Sequence, residues 1–128
     1  MSYTYSKVSD LENSDMVGNR QCVALVRKYA GAPATLAWKQ GAAVLGNNSL
    51  KKGTAIATFV NGKYANKNSG NHAAFYMGQI SGGIIVMDQW KGKINKHVTS
   101  RIIRSKGKTK SGAYIRPSNN ADAFFVIE

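Results

Sequence analysis

Between Asn19 and Gly31 the apolar side chains recur at helical spacing. Cys22, Leu25, Val26 and Tyr29 fall at i, i+3, i+4 and i+7 and would line one face of a helix turned toward a core. Asn19 is a suitable N-cap, which puts Cys22 at the third helical position. Arg27 and Lys28 place cations in the last turn, Gly31 can take the left-handed stop, and Pro33 prevents continuation. Residues 1–18 read as an irregular lead-in with local turn structure near Asp10 to Asp15. Residues 34–44, around Trp38, predict a second helical piece, short or broken, with Trp38 as a packing residue.

Beyond Asn47 the period shortens. Gly53 to Val60, then Asn61-Gly62, then Lys63 to Ala65 form a β-hairpin pattern with a favoured two-residue turn and a short second arm. A polar loop, 66–71, leads into strand candidates over 72–80 and 84–90, joined at Ser81-Gly82-Gly83. Both are rich in β-branched and aromatic residues and should form the centre of a sheet. Further strand candidates are Ile94 to Val98, Arg101 to Arg104, Ala113 to Arg116 and Ala123 to Ile127, with a basic solvated loop over 105–112. Helices first and an antiparallel sheet afterwards predict an α+β fold. With no linker or repeat, residues 1–128 are expected to form one domain.

Composition changes this picture in one respect. The 128 residues carry 18 Lys/Arg against 6 Asp/Glu, a net charge of +12. Between Met16 and Ala121 the sole acid is Asp88, so that carboxylate is a candidate for a specific task. Such a charge attracts polyanions, yet no helix concentrates Lys/Arg on one face and no paired aromatic stacking motif accompanies it, so nucleic acid is not expected as the partner. No apolar run approaches the ~20 residues that span a bilayer. The N-terminus lacks a hydrophobic signal region. One cysteine excludes an internal disulfide and a multi-cysteine zinc site, and His72 and His97 are far apart, so neither a metal nor a cofactor is expected.

The candidate chemistry centres on Cys22. A thiol in the first turn of a helix lies among amides without intrahelical acceptors, which favours the thiolate and can supply donors to an oxyanion. The plainer role is a small buried hydrophobe. His72 sits where a polar loop becomes a buried strand, and Asp88 lies on the next strand. Cys22, His72 and Asp88 can therefore converge as nucleophile, base and orienting group. Register is the weak point. A turn at Gly82-Gly83 would pair Asp88 with Met77, and a one-residue slip would bring Gln89 round instead. A bulge would realign Asp88, but none can be read from the sequence, so Gln89 stays as the second candidate for orienting His72.

The order Gln21-Cys22-Val23, Asn71-His72-Ala73-Ala74, Met87-Asp88-Gln89-Trp90 resembles the papain-like CHAP and NlpC-type cell-wall peptidases. More narrowly, Asn19 to Val23, Trp38-Lys39-Gln40-Gly41, Gly53 to Phe59 and Asp88-Gln89-Trp90 resemble the small amidase effectors of bacterial type VI secretion systems. The resemblance implies a papain-like fold and hydrolysis of an amide in peptidoglycan stem peptides through a thioester. Cys22 would be the nucleophile, His72 the base and Asp88 the orienting residue, with Gln89, Gln21 and Trp90 orienting or contacting substrate. It further implies an antibacterial effector, made in the bacterial cytoplasm without a signal peptide and exported by the type VI machinery. Such an effector acts in a target cell's periplasm and is held in check by an immunity protein. Two other readings share the same residues: a basic non-catalytic module binding nucleic acid or wall polymer, and an acyltransferase using the same triad.

Overall fold

The computed structural model describes residues 2–128. One helix, α1 (Cys22–Ala30), packs on a six-stranded antiparallel sheet. The strands are β1 (Gln40–Ala43), β2 (Ala55–Thr58), β3 (Ala73–Ile80), β4 (Gly83–Asp88), β5 (Thr99–Arg104) and β6 (Phe124–Ile127), in the spatial order β1-β6-β2-β3-β4-β5.

α1 ends as its sequence predicts. Gly31 is left-handed (φ 71°) and its N–H donates to the Arg27 carbonyl. Its start differs: the N-cap is Gln21, and Cys22 is the first helical residue. Asn19 instead accepts the Gln21 N–H (3.0 Å), closing a local turn two residues upstream. Leu25 and Val26 are fully buried, and Tyr29 stacks against Tyr5 of the lead-in with ring centroids 4.9 Å apart. Beneath α1 the sheet presents Ala55, Ala57 and Ala73, all fully buried, beside Phe75 and Met87. Their small side chains let the helix approach the strands closely, and this brings the Cys22 end down onto the sheet.

The short or broken helical piece expected over 34–44 is reduced to its first residues. A single 3-10 turn, Thr35–Ala37, precedes β1, because β6 offers a strand edge that Gln40 to Ala43 pair with. Trp38 is a packing residue, 4% exposed, with its Nε1 donating to the Pro33 carbonyl. The Asn61-Gly62 turn forms, with both residues at positive φ and a Val60–Lys63 bridge, but no second hairpin arm follows. β2 pairs with β3 and β6 instead. Residues 94–98 and 113–116 contribute isolated bridges (Asp15–His97 and Lys108–Tyr114) and no strand.

The β3–β4 register decides the site. The connecting residues are Ser81 and Gly82, since Ile80 pairs with Gly83, and the ladder continues through Gln79–Ile84 and Gly78–Ile85. Met77 is then an extra residue, a bulge, after which Tyr76 pairs with Val86 and Phe75 with Met87. Continued one step, this register sets Asp88 opposite Ala74, two residues from His72 and on the same face. Without the bulge Asp88 would lie opposite Phe75, whose side chain belongs to the cluster under α1.

Candidate active site

Cys22, His72 and Asp88 meet at one end of the sheet. Cys22 opens α1 and is 9% exposed at the floor of a cleft of about 680 Å³, which Gln21, Tyr64, His72 and Trp90 also line. His72 immediately precedes β3. Its N–H donates to the Thr58 hydroxyl (3.0 Å) and its carbonyl accepts the Thr58 N–H (2.9 Å), so its backbone is tied to the end of β2. Its Nε2 lies 2.7 Å from Oδ2 of Asp88, which is wholly buried. The thiol also interacts with the imidazole and with the Ala73 N–H.

These contacts set the charges. Burial alone would push the Cys22 thiol up, but the hydrogen bond and charge of His72, the Ala73 amide and the Tyr64 hydroxyl together pull it below its ordinary value. For His72, burial opposes the charged ring. The hydrogen bonds to Asp88 and Cys22 and their negative charges outweigh it and raise the ring to about 9. Asp88 stays below the usual carboxylate range despite burial, held there by His72 and Arg101. Both shifts favour a thiolate facing an imidazolium over the neutral pair. As the first residue of α1, Cys22 also has an N–H with no intrahelical acceptor, next to the sulfur that would attack.

Gln89 does not reach His72. Alternation along β4 turns it to the opposite face, where it is fully buried and clamps the segment before α1. Its Oε1 accepts the Val17 N–H (3.0 Å), and its Nε2 donates to the carbonyls of Val17 (3.1 Å) and Gln21 (2.8 Å). Consecutive residues, Asp88 ending β4 and Gln89 just past it, thus secure both partners, Asp88 the imidazole and Gln89 the approach to the cysteine. Gln21 is exposed at the cleft rim, and Trp90 sits edge-on to His72 with centroids 6.2 Å apart. His97 is exposed and lies away from this cluster. Among the described residues no group of His, Cys, Asp and Glu could hold a metal ion.

Two participants escape a reading of the sequence. Arg101 on β5 pairs with Val86, and its Nε donates to the same Asp88 oxygen (2.8 Å) while its guanidinium lies 4.8 Å from the centroid of Trp90. Its alternation with Thr99, the partner of Asp88, is the signal that could have found it. Tyr64, just past the Asn61-Gly62 turn, brings its hydroxyl to 3.7 Å from the sulfur. No local pattern marks it.

A thiol at a helix N-terminus, hydrogen-bonded to an imidazole that a buried carboxylate holds, on a helix laid against an antiparallel sheet, defines a papain-like cysteine hydrolase. Within that class the chain belongs to the domesticated amidase effector 2 family, whose model matches residues 2–127. It is 52% identical to a type VI secretion amidase effector 2 protein of Salmonella typhi, over the full length of both chains. A solved structure of type 6 secretion amidase effector 2 superposes with a TM-score of 0.92 at 50% identity, over 98% of this chain and 94% of the other. None of these relatives supports the alternative of a non-catalytic binding module. No described helix is long and apolar enough to cross a membrane.

Proposed function

We propose that this chain is a single-domain peptidoglycan amidase in which Cys22 is the nucleophile, His72 the proton carrier and Asp88 the group that orients it. The observation that carries the reading is the unbroken connection of sulfur, imidazole and buried carboxylate at the floor of an open cleft. The Cys22 thiolate adds to the carbonyl carbon of a stem-peptide amide, and the C=O π pair moves to oxygen, where the Cys22 N–H can receive it. On collapse the C–N bond breaks, and the departing nitrogen takes the proton held by His72. In the second half His72 takes a proton from water, whose oxygen bonds to the acyl carbon as the C–S bond breaks. Asp88 keeps the ring in one orientation throughout.

The cleft suits such a substrate. Arg27, Lys67 and Lys91 line it, so it can accept the free carboxylates that stem peptides carry. As an exported effector the enzyme would act in the periplasm of a target cell. Its producer would need a cognate immunity protein, one with an acidic or inserting element suited to a basic cleft. Mass spectrometry of muropeptides from purified sacculi tests the central claim. Wild-type protein should release fragments cut at one stem amide and Cys22→Ala none; identical digests from the two would end the proposal.

A further inference from the structure

The hydrogen bonds around Tyr64 determine which way its hydroxyl proton points. The Oδ1 of Asn71 accepts the Lys67 N–H (2.7 Å), so the amide orientation of Asn71 is set and its Nδ2 faces Tyr64. That Nδ2 can only donate, and it donates to the tyrosine oxygen (3.1 Å). With this lone pair occupied, the hydroxyl proton is free to turn to its other neighbour, the Cys22 sulfur at 3.7 Å. The ring is held too, 8% exposed and packed on Trp38 with centroids 4.9 Å apart.

We propose that Tyr64, oriented by Asn71, is a further catalytic residue that donates its hydroxyl hydrogen bond to the Cys22 thiolate and then to the oxyanion formed from the carbonyl it attacks. The second half rests on the amidase reading above. Burial and the nearby Cys22 charge raise the Tyr64 hydroxyl well above its ordinary value, so it remains a donor at every working pH and passes on no proton. When the sulfur forms its bond to carbon it loses the charge that attracted the donor. The new negative charge then appears on an oxygen two bonds from the sulfur, within a small rotation of the same O–H. The donor is thus present before the reaction and needs no reorganisation during it.

Tyr64→Phe removes only the hydroxyl and keeps the ring on Trp38. Because Cys22 is the chain's one cysteine, its alkylation by iodoacetamide reports a single thiol without any substrate. In Y64F the midpoint of alkylation rate against pH should rise by about one unit, the scale of a lost hydrogen bond to a charged group. Turnover on sacculi should fall about 100-fold with KM little changed. Asn71→Asp gives an independent arm, since its new oxygen would accept the tyrosine O–H and draw it from the sulfur. It should raise the midpoint in the wild-type background and much less in Y64F. An unchanged midpoint or unchanged turnover in a folded Y64F protein would overturn the role of Tyr64, and additive effects of the two substitutions would overturn that of Asn71. Wild-type protein that alkylates as expected but leaves sacculi intact would sink the amidase reading and the oxyanion half, not the thiolate contact.

Discussion

His72 Nε2 and Asp88 Oδ2 lie 2.7 Å apart across two strands whose turn alone would have aimed the carboxylate at the helix. The extra residue at Met77 reverses the face on which β4 residues lie relative to the start of β3. Asp88 then turns to the imidazole and Gln89 to the segment leading into α1. One bulge therefore assigns both residues their partners.

Asp88→Asn removes the charge that holds His72 protonated while keeping side-chain volume. Turnover should fall by about 10²–10⁴-fold, as when the orienting carboxylate of a catalytic triad is neutralised. Circular dichroism should be unchanged. Turnover at the wild-type rate would show that the carboxylate does not orient the ring.

The pH dependence of kcat/KM should be a bell. Its alkaline limb falls as His72 loses its proton near 9, and its acid limb as the Cys22 thiolate, whose pKa lies below its ordinary value, becomes protonated. Two coupled groups share these limbs. Asp88→Asn should move the alkaline limb downward, because the charge and hydrogen bond that raise His72 are gone. An alkaline limb unmoved by D88N would contradict that origin.

Stability should carry the opposite sign at low pH. Asp88 has a lower pKa folded than its ordinary 3.8, so its contribution is complete above about pH 4 and is lost as pH falls through the folded value. Thermal midpoints measured from pH 6 to 3 should therefore drop more steeply for wild type than for D88N. Parallel curves would indicate that Asp88 is not the linked group.

Gln89→Ala would strip partners from the Val17 N–H and from the Val17 and Gln21 carbonyls. Urea unfolding should show a loss of about 2 kcal/mol or more, and turnover should fall because the approach to Cys22 loosens. The His72 titration, followed by NMR, should stay in place. A His72 shift like that of D88N would mean that Gln89 acts on the imidazole after all.

Local physics settled a good part of this protein from its residue order. The α1 stripe and its Gly31 stop, the Asn61-Gly62 turn and the paired strands around Gly82 all depend on contacts within a few residues, so side-chain periodicity and backbone preference reveal them. The lone acid in a basic stretch marked Asp88 as a candidate, and the residues around Cys22, His72 and Asp88 resemble those of papain-like amidases, a class with which the family match agrees. Tertiary structure alone decided what turns on a single residue of register or on a distant neighbour. The segment at Gln40 became a strand because β6 offers an edge to pair with. Asp88 rather than Gln89 faces His72 because side chains alternate across a sheet and one bulged residue inverts the alternation. Arg101 and Tyr64 joined the cluster only because separate strands and turns converge there, and such convergence leaves no mark on neighbouring positions in the chain.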